Sequence, residues 1–532
     1  MHPISLLVNG SSNQVQFAET CKVRSISLLL NGSSNQVQFA ETCKGVQLRV
    51  IKEPGGSWYT VMMASTYYTR SFGCQMNDHD TSRVEGLLQS SGMHEVDDPG
   101  DADVVFVNTC CIRENADNKL YGFLGQMKSL RQSNPAMRIV VGGCLAQREK
   151  EQLVERAPYV DVVVGTYNLS RIPALLEYGI GVGRSVVEVP ETREEAEEIA
   201  GYQGGSYAWS MPPMNSTPWS AYVSIQSGCN NSCTFCTVPM VRGPESSRPI
   251  DDIISEVSKL ASKGVSEIIL LGQNVNSYGR DITRRRPLFA QLLREVGAVD
   301  GVRRVRFTSP HPKDLLPETI DAMATVEAVC EQLHFPLQSG SDRILAMMHR
   351  GYNAERYLTK LRAAREVIPD LAVTTDIIVG FPGETEDDFE ETLKVVAEAQ
   401  FDAAYTFEFS SRPGTVAAGM VDQFVESGVV SSRFSRLVEL VERSALERNR
   451  ARVGMIEEVQ VEGTSKKDPS VLTGRTRQGK LVHFCSEHLL HPGSYIQVKI
   501  TDAGPHHLKG EYRGKIPLRL NHLRIPVRAA CI

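Results

Sequence analysis

No stretch of this 532-residue chain is apolar for long enough to cross a membrane; runs such as Glu267-Ile-Ile-Leu-Leu271 and the segment ending at Val164 fall far short of a span. The opening residues MHPISLLVNGSS carry no basic n-region and only the short apolar stretch Ile4–Val8, which argues against a signal peptide. The expectation is a cytoplasmic protein with no membrane partner. Charge of one sign is not in large excess either. The net charge of −6 does not advertise a nucleic-acid partner. Paired CxxC units, the usual mark of structural zinc, are also missing.

What is present is an ordinary globular composition, 41% hydrophobic and 23% charged, in a chain long enough for three or four folding units. Charge is unevenly placed. From Gly454 onward there are twelve Lys and Arg against seven Asp and Glu, a net +5, so the remainder carries −11. A basic terminal module on an acidic body suits a domain that grips a polyanion. Twelve cysteines without an export signal point to metal or redox chemistry rather than to disulfides.

Residues 1–66 contain a direct repeat: Ile4–Lys22 returns, with one substitution, as Ile26–Lys44. Two copies cannot bury a core. The segment reads as a duplicated leader, disordered or misassigned, with Met62 or Met63 as an alternative start. Cys21 and Cys43, copies of one another, are assigned no role. From 67 to 182, apolar runs (Val104–Val107, Ile139–Val141, Val160–Val164) alternate with amphipathic stretches such as Ser82–Gln89, which predicts a parallel α/β sheet. Residues 183–218, charged and then rich in Gly, Ser and Pro, read as a linker.

From 219 to 452 six strands are expected, at Tyr222–Ile225, Glu267–Leu271, Arg303–Thr308, Gln332–Leu337, Val373–Val379 and Tyr405–Phe409, with helices between them. One of these is Asp251–Lys263, stopped by Gly264. That is a full or partial β/α barrel with its site at the C-terminal ends of the strands. Residues 453–516, with short β runs at Glu458–Val461, Lys480–Phe484 and Tyr495–Ile500, predict a small OB-like β-barrel, followed by a tail at 517–532.

The sharpest motif is Ser227-Gly-Cys229-Asn-Asn-Ser-Cys233-Thr-Phe-Cys236, placed directly after the first barrel strand. Three thiolates so close together suit three irons of a [4Fe–4S] cube, leaving the fourth open to a small-molecule chelator. Zinc would need a fourth ligand, and Cys330 is about a hundred residues away. Three more cysteines stand in the first domain: Cys74 in FGCQMN, Cys110 in NTCCIRE and Cys144 in GGCLAQ. Cys110 and Cys144 follow expected strands, and Cys74 follows Tyr67–Phe72. A parallel sheet gathers such loops at one edge, so a second cluster could form there. Small core cysteines are the alternative.

The order of these parts resembles the radical-SAM methylthiotransferases, whose terminal module is the RNA-binding TRAM domain. FGCQMN, NTCCIRENA and GCLAQ resemble the MiaB-type tRNA-modifying branch. So do VPMVRGPE (238–245), GQNVN (272–276), SPHP (309–312), HFPLQSGS (334–341), DIIVGFPGE (376–384) and RPGT (412–415). The likeness covers about 67–512. It implies two [4Fe–4S] clusters, one on Cys229, Cys233 and Cys236 that cleaves S-adenosylmethionine (SAM), the other an auxiliary, sulfur-transferring cluster on Cys74, Cys110 and Cys144. It implies methylthiolation at C2 of N6-isopentenyl (dimethylallyl) adenosine 37, beside the tRNA anticodon. A reductant such as flavodoxin or ferredoxin and a sulfur or iron–sulfur donor would serve it. The chain departs from the family at Cys111, where a small polar residue is usual; Cys110 aligns with the motif and is assigned as the ligand, while Cys111 could compete with it or be a spectator on the next face of the loop. The same chemistry on threonylcarbamoyladenosine or on a ribosomal-protein aspartate is the near alternative. A non-catalytic iron–sulfur RNA-binding protein is the distant one.

Gly272 and Gln273 follow the second barrel strand and could border SAM or simply form a turn; Gln338 and Ser339 could contact its adenosyl or amino-acid part. His311 and His334 read as packed or hydrogen-bonded histidines. Arg284–Arg286 and the helix 433–452 could support phosphates, although Glu439, Glu442 and Glu447 interrupt the latter. In the terminal barrel Lys466, Lys467, Arg475, Arg477 and Lys480 flank turns, as RNA-contacting residues would.

Overall fold

The computed structural model describes residues 66–111, 114–182, 184–201 and 217–516, with the backbone alone at 114–116 and 179–182. It also describes the backbone of three short antiparallel strands, β1 (Gln36–Gln38), β2 (Gln47–Lys52) and β3 (Trp58–Met63). The sequence reading places no strands there. The rest of the leader, including Cys21 and Cys43, and the tail lie outside the described residues.

The first domain is a six-stranded parallel sheet built from β4 (Thr66–Phe72), β5 (His94–Glu95), β6 (Val104–Thr109), β7 (Arg138–Gly143), β8 (Val162–Val164) and β9 (Val186–Glu188), in the order β5-β4-β6-β7-β8-β9. All six residues of β6 are buried, because helices cover both faces. Val105 and Val107 pack with Leu120, Leu124 and Met127 on one side; Val104 and Phe106 pack with Val84, Leu88 and Ile172 on the other. The segment read as a linker instead holds a helix at Arg193–Ala200. The Thr192 side chain caps its first turn, Gly201 ends it in the left-handed region, and Ala196 is buried.

Six parallel strands of the central domain form two hydrogen-bonded groups. They are β10 (Ser220–Ser224), β13 (Glu267–Leu271) and β14 (Arg304–Phe307), then β15 (Gln332–His334), β16 (Ala372–Val379) and β17 (Ala403–Glu408). A single parallel bridge, Val305 to Val329, joins them, so the barrel is partial. Helix Ile250–Ser262 buries Ile253, Val257 and Leu260 against it, and Gly264 ends the turn at φ +95°. A short antiparallel ladder, β11 (Gln226–Ser227) with β12 (Ser246–Ser247), ties the base of the intervening loop. No helix among the described residues is long and apolar enough to cross a membrane.

The third unit is a closed barrel of β18 (Ile456–Thr464), β19 (Leu472–Thr476), β20 (Leu481–Cys485), β21 (Tyr495–Ala503) and β22 (Leu508–Lys515). It docks on the N-terminal ends of the central strands. Arg304, fully buried at the start of β14, donates to Glu458 at 3.0 Å, and Arg306 donates to the carbonyls of Thr476 and Arg477 at 2.8 Å. Arg477 pairs with Glu331 (2.8 Å), Lys480 with Asp402 (2.7 Å), and Tyr495 hydroxyl meets Ser266 Oγ (3.0 Å). The small barrel therefore closes the floor of the large one, and the strand C-termini are left at the opposite end.

This docking corrects two expected RNA contacts. Arg477 and Lys480 are spent on the seam, since a turn placed under the large barrel puts its cations beside Glu331 and Asp402. Lys466 and Lys467 remain exposed on the β18–β19 turn, and exposed Arg475 pairs with Glu462 at 2.8 Å. Lys480→Ala should lower stability by roughly 2 kcal/mol, because Asp402 loses a buried partner. The salt slope of RNA binding should stay as in wild type. The Lys466→Ala/Lys467→Ala double variant should reduce that slope by about 2 with little change in thermal midpoint. Titration against salt, with thermal melts, separates the two; a reduced slope for Lys480→Ala would restore it as an RNA contact.

The other expected phosphate contacts behave likewise. Arg433, in the helix Ser427–Arg450, is buried against Glu384 (3.1 Å) and Glu386 (2.9 Å), Arg436 pairs with Glu386 (2.5 Å), and Arg452 with Asp370 (2.8 Å) and Glu457 (2.6 Å). Arg284–Arg286 stay exposed, with Arg286 paired to Glu318 at 3.3 Å.

Candidate active site

The loop carrying Cys229, Cys233 and Cys236 leaves the C-terminal end of β10. Gly228 sits at φ +83°, and a Cβ there would run into the Pro244 carbonyl, so only glycine makes this turn without distortion. Gln273 accepts the Gly228 N–H through Oε1 at 2.6 Å, and the Cys229 N–H donates to the Gly243 carbonyl at 3.0 Å. Gln273 is thus at the site, but this oxygen orients the cysteine loop. Gly272 lies tight against the Gln226 side chain. Gly228→Ala should cost about 1–3 kcal/mol in backbone strain and lower iron retention. A variant with wild-type iron content and melting midpoint would show the loop tolerates other conformations.

The three thiols are half-buried and within one another's field. Burial pushes Cys236 up to about 12 and Cys229 upward too, with neighbouring Cys233 adding to both. Arg350 answers this with a donor: Nη1 lies 3.3 Å from Cys233 Sγ, while Nε donates to the Tyr352 hydroxyl at 3.2 Å. Thiolates packed this close, with one guanidinium beside them, need further positive charge, which iron would supply. No three His, Cys, Asp or Glu side chains among the described residues surround one point as a single ion requires. A cube takes its thiolates on separate irons. Cys330, the distant candidate for a fourth zinc ligand, is buried just before β15 at the other end of the barrel.

In the first domain β4, β6 and β7 end at Phe72, Thr109 and Gly143, and Cys74, Cys110, Cys111 and Cys144 follow them. Gly143 has φ +94°, and a Cβ there would strike the Asn108 side chain. The thiols meet in two pairs. Cys74 is brought down to about 6 by its hydrogen bond with Cys110, against the effect of burial, and Cys110 is pushed up by the same bond. Cys111 and Cys144 share a second such bond, which lowers Cys111 and raises Cys144. Four thiols converge, where three were expected, and Cys111 is one of them.

The two cysteine groups adjoin. Cys111 Sγ lies 3.2 Å from Thr237 Oγ1, the residue after Cys236, and Thr166 Oγ1 donates to the Val241 carbonyl at 2.6 Å. Arg242 is buried beside the first-domain thiols, donates to Asp80 at 2.6 Å, and its charge favours the thiolates of Cys74 and Cys144. Arg83 reaches from the same helix, Gln75–Ser90, to Glu256 at 3.1 Å, and Arg248 meets that carboxylate at 2.7 Å. Neither Arg242 nor Asp80 was singled out from sequence. VPMVRGPE marked the segment, but nothing in it named the partner.

The remaining expected residues divide. Gln338 is buried with φ +70°, and its backbone bonds to β16 at Asp376 and Ile378. Ser339 is buried with its hydroxyl 3.3 Å from Thr392 Oγ1, toward a helix. His311 is buried beside Tyr352, and burial together with Arg350, Lys313 and Lys360 pushes it down to about 2, so it stays neutral. His334 is hydrogen-bonded, as read: Nδ1 lies 3.0 Å from Thr374 Oγ1 and Nε2 3.2 Å from Asp376 Oδ2.

Residues 66–165 match the uncharacterized protein family UPF0004, 223–396 the Radical SAM superfamily and 450–512 the TRAM domain. Fold and site therefore define a radical-SAM enzyme, which works with SAM and a [4Fe–4S] cluster, carrying a cysteine-bearing domain before its barrel and a TRAM barrel after it. A Mycolicibacterium smegmatis protein named tRNA-2-methylthio-N(6)-dimethylallyladenosine synthase is 48% identical over 452 residues, 83% of this chain and 86% of that one. An Acidothermus cellulolyticus protein of the same name is 50% identical over 444 residues, again 83% and 86%. The chain belongs to the family of tRNA-2-methylthio-N(6)-dimethylallyladenosine synthases. Among solved structures it is similar to the radical SAM methyltransferase TsrM from Kitasatospora setae, with a TM-score of 0.49 and 15% identity over 67% of this chain and 77% of that one.

Proposed function

We propose that the protein adds a methylthio group to C2 of N6-dimethylallyladenosine at position 37 of tRNA. The observation that carries this is the buried contact between the Cys74/Cys110/Cys111/Cys144 group and the Cys229/Cys233/Cys236 loop, with Cys111 against Thr237 at 3.2 Å. A reaction that breaks a C–H bond and replaces it with carbon–sulfur needs a radical source and a sulfur source side by side. Cys229, Cys233 and Cys236 would hold one [4Fe–4S] cluster, and Cys74, Cys110 and Cys144 a second. When bound, SAM and the first cluster supply a methyl group and a 5′-deoxyadenosyl radical, and the second supplies sulfur.

The chain's own residues prepare this setting. Arg350 donates to Cys233 and is itself held by Tyr352, whose hydroxyl donates to the Leu337 carbonyl at 2.9 Å. Arg242 keeps a fixed positive charge beside the first-domain thiols. Burial of Cys110, Cys111 and Cys144 excludes water from sulfur that would otherwise be oxidised or lost. The exposed Lys466 and Lys467 of the TRAM barrel would hold phosphates of the anticodon stem-loop. A flavodoxin or ferredoxin would supply electrons, a sulfur or iron–sulfur donor would replenish the second site, and the cytoplasm is where tRNA is met.

Anaerobically reconstituted protein, given SAM, a strong reductant and an anticodon stem-loop bearing N6-isopentenyladenosine, should release 5′-deoxyadenosine and yield the 2-methylthio nucleoside. Release of 5′-deoxyadenosine with the RNA unchanged would refute the substrate. Failure to release any would refute the chemistry.

A further inference from the structure

We propose that an outer groove of the TRAM barrel holds an RNA phosphate between His483 and His507, and that binding RNA there takes up a proton; this rests on the tRNA reading above for the polyanion. The groove has a volume of about 1380 Å³ and runs along the β18–β19 turn, β20 and the start of β22. Arg477 and Lys480, which are used in the seam, are not among its walls.

Strand alternation puts the histidine there. Val482 and Phe484 are buried in the barrel core, so His483 between them turns outward. Leu508 is buried likewise, so Lys509 turns outward as well, and His483 and Lys509 are register partners across β20 and β22. His507 shares the groove wall, its ring centroid 5.2 Å from that of His483 and the two planes inclined at 69°.

The fixed charges of the groove cancel. Lys466, Lys467, Arg475 and Lys509 line it, and so do Glu462, Asp468, Glu487 and Glu511. Arg475 is paired with Glu462 (2.8 Å), Glu511 with Arg513 (2.6 Å), and Lys509 with Asp502 (3.0 Å), a carboxylate that also faces His507. The sign of the groove is therefore left to its histidines: the His483–His507 pair, and His488, which stands edge-on to Tyr512 at 5.5 Å. Histidine is the side chain that ordinarily changes charge between about pH 5 and 8. Partial burial, and then His507, Lys467 and Lys509, hold His483 below its ordinary value, which favours the neutral ring in the free protein. Two imidazolium rings this close repel one another and the lysines beside them. A phosphate between them offsets that repulsion and accepts from both, so the bound state favours the charged form. RNA binding thus raises the histidine pKa and brings in a proton. Affinity rises as pH falls, and levels off once the ring of the free protein is itself charged.

The test uses the full protein with its clusters reconstituted anaerobically. Dissociation constants for an anticodon stem-loop are measured at fixed ionic strength from about pH 8 to about pH 6, across the range in which histidine titrates. Wild type should bind about tenfold more tightly at the acid end, the effect of one linked proton. Calorimetry in two buffers of different ionisation enthalpy should show protons entering with the RNA. The His483→Gln/His507→Gln variant keeps hydrogen-bonding side chains but cannot titrate, and its affinity should be flat with pH. His483→Lys, charged throughout, should bind at the alkaline end about as tightly as wild type does at the acid end. Absence of proton uptake by wild type, or an undiminished pH dependence in the double variant, would overturn the subsite. The uptake measurement needs no variant, so it decides the matter even if one fails to fold. A wild type that binds the stem-loop at no pH, even at low salt, would instead refute the tRNA reading itself.

Discussion

Iron and sulfide in anaerobically prepared Cys229→Ala/Cys233→Ala/Cys236→Ala protein are expected to fall to about half of wild type, with 5′-deoxyadenosine release lost altogether. The reasoning is geometric. Each group of thiols is held by its own set of strands and loops, one by β10 and the β11–β12 ladder, the other by the ends of β4, β6 and β7. Removing one set leaves the scaffold of the other intact. The reciprocal Cys74→Ala/Cys110→Ala/Cys144→Ala variant should lose the other half of the iron. Four thiols meet in the first domain, so Cys111→Ala added to that variant serves as a control: residual iron in the triple variant that vanishes with Cys111→Ala would make Cys111 a ligand. Stoichiometric zinc in wild type, or loss of all iron from either variant, would refute two independent clusters.

Arg242→Ala should destabilise the protein by about 3–5 kcal/mol, the cost of leaving Asp80 buried without its cation. Arg242 donates to Asp80 at 2.6 Å, and the two side chains are 7% and 13% exposed. Neither partner can turn to water without parting the first domain from the barrel. Adding Asp80→Asn to Arg242→Ala removes the stranded charge and should recover a large part of the loss, which a role in packing alone would not allow. Denaturant unfolding of the single and double variants measures both numbers. A single variant as stable as wild type would show that the domains are held by other contacts, such as Arg83–Glu256.

Strands with apolar alternation were legible from sequence: Glu267–Leu271 forms where it was expected, and four other barrel strands differ by one to three residues at their ends. Gln332–Leu337 is shorter, ending at His334. Two strands of the small barrel, Leu472–Thr476 and Leu508–Lys515, were not anticipated. Their sequences, LTGRT and LKGEYRGK, carry glycine and charge where alternation would show. The structure explains the glycines: a Cβ on Gly474 would press on the Gln460 carbonyl, and one on Gly510 on Val498 and the Lys499 carbonyl. A tightly closed barrel demands them, and a local pattern cannot reveal closure. Charge-rich residues 193–200 were misread for a related reason, since one buried alanine and two caps suffice for a short helix.

By itself the sequence pointed to the chemistry, because CxxxCxxC is a local property: three thiols within eight residues are brought close together whatever the rest of the chain does. It also determined the order of the three units, because each has its own periodicity and its own run of turns. Only the tertiary structure decided which side chains meet across those units. Arg242 finds Asp80 over 162 residues, Lys480 is taken from RNA by Asp402 over 78, and His334 meets Asp376 over 42. Charge and hydrogen-bond partners at such separations are chosen by how the domains pack, since an ionic group lowers its energy with any opposite group the fold brings near, and the chain order carries no record of which that will be.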